Sequence, residues 1–245
     1  MSEYRVVGEY YGADRYEGEF LGHKVTVCLP KNQKENVPFL WRCEFFGAFD
    51  NADAEMIRRG YPVAAFSISD RFGSDGSVRL MKEFYDSITA EFSIGPRAVL
   101  LGMSRGGLYA VNYAYYYPQD VAALYLDAPV LDLSAWPFGY GKGITSEVDT
   151  KLAFIEYGLN EETSRTFEKN PIDRVDALIE NRIPVVLVAG LSDEYVPYPE
   201  SGARLERAYR AAGAPIETFL KPECRHHPHG LVDPVPLVDA IESFL

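Results

Sequence analysis

The chain has 245 residues, room for one large α/β domain or two small ones, and enough length to bury a sizeable core. Its 47% hydrophobic and 24% charged residues are ordinary for a folded chain, which excludes extensive disorder away from the ends. The formal net charge of −12 argues against nucleic acid and anionic membrane surfaces as partners, because both call for a clustered basic face.

The N-terminal MSEYRVVGEYYG carries acidic residues and no long apolar run, which argues against a signal peptide, and no stretch has the length of a transmembrane helix. Cys28, Cys43 and Cys224 are odd in number and lack metal-ligand spacing. The first two sit in apolar runs as reduced core residues, so the expected location is cytoplasmic.

Strand and helix patterns alternate along the chain, the rhythm of a parallel sheet with helices on both faces. Residues 4–10 and 22–29 form a hairpin-like region in which HKVTVCL alternates in strand fashion. PFLWRCEFF, residues 38–46, is mostly apolar, as expected of a buried strand. A helix over 51–59 stops at Gly60, and a strand over 61–68 leads into a polar loop over 69–77. An amphipathic helix covers 79–92. Next come a short strand at 98–101, a tight turn at 102–107 and a helix at 108–117 ended by Pro118. The strand VAALYL, residues 121–126, runs into Asp127. Residues from about 131 to 170 break the rhythm and are rich in aromatics and glycine, with Trp136, Phe138, Tyr140, Phe154, Tyr157 and Phe167 among them. Alternation resumes with a helix at 174–181, a strand at 184–189, a helix at 200–212, a strand at 216–220 and a helix at 234–244. The expected organisation is a single α/β domain over 1–245 with one insertion at about 131–170.

Gly102-Met103-Ser104-Arg105-Gly106 matches G-x-S-x-G, with an apolar strand before it and a helix start after it. A serine held in a sharp strand-to-helix turn needs small neighbours, and the helix N-terminus beneath it favours developing negative charge. A serine hydroxyl also needs a histidine base, and that base needs an orienting carboxylate, in the chain order Ser, Asp or Glu, His. His23 precedes the serine and is assigned a structural role. The base therefore comes from Arg225-His226-His227-Pro228-His229, after the last strand. Spacing from Leu220 favours His226, with His227 as its rival, while His229 is left to line the pocket or brace the loop. No companion carboxylate gives H-H-x-H a recognisable ligand spacing, so no metal is expected. For the acid, Asp193 lies just past the strand VVLVAG, with Asp127 as the rival position and Glu194 solvated.

GMSRGG, GLSDEYVP and RHHPHGL, in that order, resemble the α/β-hydrolase superfamily near its esterase and prolyl-oligopeptidase-like branches, over about residues 38–245. The resemblance implies an eight-stranded, mostly parallel sheet, no cofactor, hydrolysis of a small-molecule ester, and a triad of Ser104, Asp193 and His226. Many relatives place a His-Gly pair after the third strand, to supply one oxyanion donor. Here Glu44-Phe45-Phe46-Gly47 stands in that place, so the backbone N–H of Phe45, or of Phe46, is expected to join that of Arg105. Ser104-Arg105 also resembles the Ser-Arg pair of glucuronoyl esterases, in which the arginine side chain helps hold the oxyanion. The alternative is an Arg105 ion pair behind the turn, to Glu44. In this fold the 131–170 insertion falls where a lid is carried, and its aromatic faces suit acyl esters of sugars or aromatic acids, or simply pack the insertion. Two competing readings are a serine peptidase of prolyl-oligopeptidase type, for whose propeller the chain has no room, and a non-catalytic small-molecule receptor on the same fold.

Overall fold

Continuous apolar runs set the centre of the sheet. The computed structural model describes residues 4–245, so the first three residues of the segment read against a leader peptide lie outside the described residues. Every residue is buried in β4 (Phe39–Arg42), β5 (Val63–Phe66), β6 (Ala98–Met103), β7 (Val121–Asp127) and β8 (Val185–Gly190). These are strands covered on both faces, which explains why their sequences do not alternate. The half-covered β9 (Ile216–Lys221) closes one edge beside β8.

At the other edge β1 (Arg5–Tyr10), β2 (Ala13–Phe20) and β3 (His23–Leu29) form an antiparallel meander. The full order is β1-β2-β3-β5-β4-β6-β7-β8-β9. Pairing is parallel from β5 through to β9 and antiparallel where β3 meets β5. The sheet is thus mostly parallel, with nine strands instead of eight. The difference lies in ADRYEGEF, whose polar composition conceals a strand: β2 is only half-buried and pairs with both its neighbours.

Helices cover both faces. On one, α1 (Asn51–Arg58) and α7 (Val235–Glu242) bury Met56, Ile57, Leu237 and Ile241. On the other, α2 (Asp75–Glu91), α3 (Gly106–Tyr116), α5 (Val175–Glu180) and α6 (Gly202–Ala211) bury Phe84, Leu108, Leu178 and Tyr209. Helix α3 is buried on every side from Gly106 to Ala114, so it carries no polar stripe, and its buried Asn112 is satisfied by the Gly73 carbonyl and Arg174. Helix α2 starts at Asp75, four residues before the amphipathic pattern does, because the Ser74 hydroxyl caps it by accepting from the Ser77 N–H. The apolar run 38–46 leaves the sheet after Arg42, and Phe45 turns back with φ 57°.

Between β7 and β8 the chain forms α4 (Glu147–Tyr157), capped by Ser146 and ended by Gly158 in the left-handed region, together with short 3-10 turns. Its aromatic residues pack largely on one another: Phe138 and Phe154 have ring centroids 4.8 Å apart, and Tyr157 and Phe167 5.4 Å. Among the described residues no helix is long and apolar enough to cross a membrane.

Candidate active site

Ser104 stands between the end of β6 and the start of α3 with φ 50°, a conformation that an L-residue keeps only where its surroundings enforce it. The surroundings are the last residue of β7 and the segment after it. Ser104 N–H donates to the Asp127 carbonyl at 2.8 Å, and the Ser104 carbonyl accepts from Val130 N–H at 2.8 Å and Gly107 N–H at 3.0 Å. Glycine is required beside it. A Cβ at Gly102 would stand 2.9 Å from Ala110 Cβ and Leu126 Cδ2, and one at Gly107 would stand 2.7 Å from Pro129 Cβ.

The histidine loop is brought to the serine by a close backbone approach. At the end of β8, a Cβ on Gly190 would lie 2.4 Å from the carbonyl oxygens of Cys224 and Arg225. Only glycine lets the loop cross the strand there. Ser192 N–H donates to the Cys224 carbonyl at 3.0 Å, and Arg225 pairs with Glu194 at 2.8 Å, so both loops are tied together. His226 Nε2 then lies 3.0 Å from Ser104 Oγ, and His226 Nδ1 2.7 Å from Asp193 Oδ2. The other Asp193 oxygen accepts from the N–H groups of Tyr195 at 2.9 Å and Val196 at 2.8 Å, which fixes the carboxylate. Asp193 and His226 are both buried.

The rival residues occupy other positions. Asp127 bonds His229 Nδ1 at 2.9 Å and also accepts from Gly230 N–H and the Tyr125 hydroxyl, forming a second Asp–His pair under the same loop. His227 is exposed and stacks on Phe49, with ring centroids 5.2 Å apart and ring planes nearly parallel. Partial burial, then His229 and His226, hold its imidazole below the usual histidine range. Glu194 is bound to Arg225 and not free in solvent. His23 packs edge-on against Phe66. The ring nitrogens of His226, His227 and His229 converge within 4.8 Å, a trio able to reach one metal ion, although His226 and His229 are each already bonded to a carboxylate.

The Arg105 side chain is held in a ring of acids. It binds Glu44 through Nε at 3.1 Å to each oxygen, Asp149 at 2.9 Å and Asp70 at 3.0 Å, with Phe72 5.0 Å from the guanidinium. Burial opposes its charge, but the hydrogen bonds and charge of Glu44 outweigh that, leaving the guanidinium firmly protonated. Burial in turn pushes the Glu44 carboxyl above the usual carboxylate range, against the pull of Arg105. The Glu44 backbone lies beside the first turn of α3: a Cβ on Gly106 would meet Glu44 N at 3.8 Å. Asp70, Asp149 and Phe49 were invisible as site neighbours in the sequence, because each comes from a distant loop or helix and belongs to no local motif.

A sheet of this order, with a strained serine turn between β6 and α3 and a histidine loop after the last strand, defines an α/β-hydrolase. Residues 77–220, more than half of the chain, match the model of the esterase family, and the chain belongs to that family. It is accordingly an ester hydrolase. Among solved structures, an S-formylglutathione hydrolase from Agrobacterium tumefaciens superposes with a TM-score of 0.65 at 15% identity, covering 98% of this chain and 100% of that one. A puromycin hydrolase superposes with a TM-score of 0.65 at 20% identity, covering 99% of this chain and 38% of that one. At such identities the likeness is one of fold. Among curated proteins none matches this sequence.

Proposed function

We propose that Ser104, His226 and Asp193 hydrolyse a small-molecule carboxylic ester through an acyl-enzyme. The observation that carries this is the continuous contact from Ser104 Oγ to His226 at 3.0 Å and from His226 to Asp193 at 2.7 Å. Ser104 Oγ attacks the carbonyl carbon while His226 Nε2 takes its proton. Asp193, held by two backbone N–H groups, keeps the proton on His226 Nδ1 and balances the imidazolium. The backbone N–H of Arg105, with that of Phe45 or Phe46, holds the oxyanion; the Arg105 side chain, bound to three carboxylates, takes no part. His226 then protonates the leaving alcohol, and a water activated by the same histidine releases the acid.

Residues 131–170 act as a lid on a single domain spanning the chain. Tyr195 lies 5.6 Å from the His226 ring and borders a small depression with Trp136, so acyl esters of aromatic acids or sugars head the substrate panel. A cytoplasmic setting fits the three free thiols Cys28, Cys43 and Cys224.

The test is intact-mass analysis after treating wild type and Ser104→Ala with a fluorophosphonate. One adduct on wild type and none on the variant is the expected result. No adduct on folded wild type would sink the nucleophile assignment.

A further inference from the structure

Three of the chain's four histidines meet in one loop. Between ring centroids His226 lies 4.9 Å from His227 and 4.9 Å from His229, and His227 lies 5.0 Å from His229. The rings form a nearly equilateral triangle, each steeply inclined to the other two. Zinc–nitrogen bonds of about 2.0–2.1 Å at tetrahedral angles hold three imidazole centroids about 5 Å apart, so the triangle already has the size of a three-histidine site. One ring nitrogen from each lies within 4.8 Å of the others. A shared ion needs them about 3.4 Å apart, a difference that rotation of the exposed His227 ring can close. The trio is reachable from solvent, because His227 is exposed and His226 and His229 keep 8% and 6% of their surface.

The carboxylates that H-H-x-H lacks in sequence arrive through the fold. Asp193, 33 positions away, bonds His226 Nδ1 at 2.7 Å, and Asp127, 102 positions away, bonds His229 Nδ1 at 2.9 Å. An ionised carboxylate only accepts, so each bond keeps the proton on Nδ1 and leaves the lone pair on Nε2. Both carboxylates are themselves fixed, Asp193 by the Tyr195 and Val196 N–H groups and Asp127 by Gly230 N–H and the Tyr125 hydroxyl. Metal-binding histidines are oriented and made more basic by partners of this kind. Two anions beneath the rings also favour a cation above them. His226 Nε2 meets Ser104 Oγ at 3.0 Å, and His229 Nε2 makes no hydrogen bond among the described residues.

We propose that His226, His227 and His229 bind a divalent ion of the zinc class, and that the bound ion reversibly inhibits the hydrolase. Imidazole nitrogens suit zinc, whereas magnesium takes oxygen ligands. The lone pair on His226 Nε2 that accepts the Ser104 proton is the one the ion takes, so coordination and proton abstraction exclude each other. Chelation of the ion returns that lone pair and restores the base. The inhibitory part of the proposal rests on the reading of His226 as the base for Ser104.

The experiment titrates zinc chloride into wild type and into His227→Phe, which keeps a ring on Phe49 and removes the nitrogens. Hydrolysis of p-nitrophenyl acetate and calorimetric binding are read in parallel. Without zinc the two proteins should turn over the ester at equal rates. Wild type should bind zinc and lose activity in step, and EDTA should restore it, while magnesium chloride does neither. His227→Phe should need at least about tenfold more zinc for half-inhibition, having lost one ligand. Equal zinc sensitivity of the two proteins overturns the site, even if zinc inhibits both. Zinc binding that depends on His227 but leaves the rate unchanged overturns the inhibition, since the ion is then not on His226. Binding that depends on His227 in a wild type that cleaves no ester would spare the metal site and overturn the Ser104 reading. No zinc binding to wild type removes the site altogether.

Discussion

The serine turn depends on two of its three glycines, and they are not the two that the motif emphasises. A Cβ on Gly107 would press into Pro129 Cβ at 2.7 Å and the Val130 carbonyl at 2.8 Å, backbone and ring atoms that cannot step aside. A Cβ on Gly106 would have its nearest neighbour at 3.6 Å, ordinary contact. Gly107→Ala is therefore expected to destabilise by about 2 kcal/mol or more through overpacking. Gly106→Ala should stay within about 0.5 kcal/mol of wild type, since alanine also suits a helix start better than glycine. Urea unfolding of both variants checks this, and equal losses would show that the crowding around Gly107 has been misjudged. The two Asp–His pairs separate in the same way. Asp193→Asn should lower kcat by about 10⁴, because the His226 tautomer is lost. Asp127→Asn removes a brace beneath the loop and should lower Tm, with a fall in rate of at most about tenfold. A comparable collapse of kcat in Asp127→Asn would exchange the two roles.

Helix α4 is held to the rest of the molecule by polar contacts concentrated on its two ends. Asp149 in its first turn binds Arg105; at its end Glu156 binds Arg71 and the cap residue Ser74, and the Tyr157 hydroxyl donates to the Phe72 carbonyl at 2.7 Å. Tyr157→Phe deletes one such tie and leaves a carbonyl less satisfied, at a cost of about 1 kcal/mol. Hydrogen exchange across Glu147–Tyr157 should accelerate more than exchange in α3, since local opening draws on the weakest ties first. Uniform acceleration throughout the chain would mean that α4 opens only with the whole. None of these ties was legible in the sequence. What was legible was local: the GMSRGG turn with a strand before and a helix after, the apolar runs that became β4 to β8, and the Asp193 and His226 loops at strand ends. What escaped notice was either polar, as in ADRYEGEF, or assembled from afar. The Asp127–His229 pair joins residues 102 positions apart, and although an Arg105–Glu44 ion pair was among the expectations, the Asp70 and Asp149 that complete the ring around Arg105 leave no periodic trace.

At the scale of the whole molecule, a chain of net charge −12 uses some of its cations to join elements. Arg59 at the end of α1 reaches Glu55 in its own helix and both Asp239 and Glu242 of α7, so one guanidinium ties the two helices covering the same sheet face. Glu55 lies between Arg58 and Arg59, and the hydrogen bond from Arg58, then that from Arg59, hold its carboxyl down to about 2 against the effect of burial. A carboxylate with a depressed folded-state pKa contributes stability that is fully present above its unfolded pKa and fades as pH falls through the folded value. Glu55→Gln should therefore destabilise at pH 7, and the gap to wild type should narrow steadily below about pH 4.5 as the unfolded carboxylate takes up its proton. Because Arg58 is 67% exposed and solvent screens it, the gap at neutral pH is expected to be only about 1 kcal/mol. Urea unfolding of both proteins at pH 7, 5 and 3.5 measures it, and added salt should shrink the neutral-pH gap as well. A gap that widens toward pH 3.5 would mean that the side-chain amide, and not the missing charge, destabilises the variant, and Arg59 would then lose its role as the charged joint between α1 and α7.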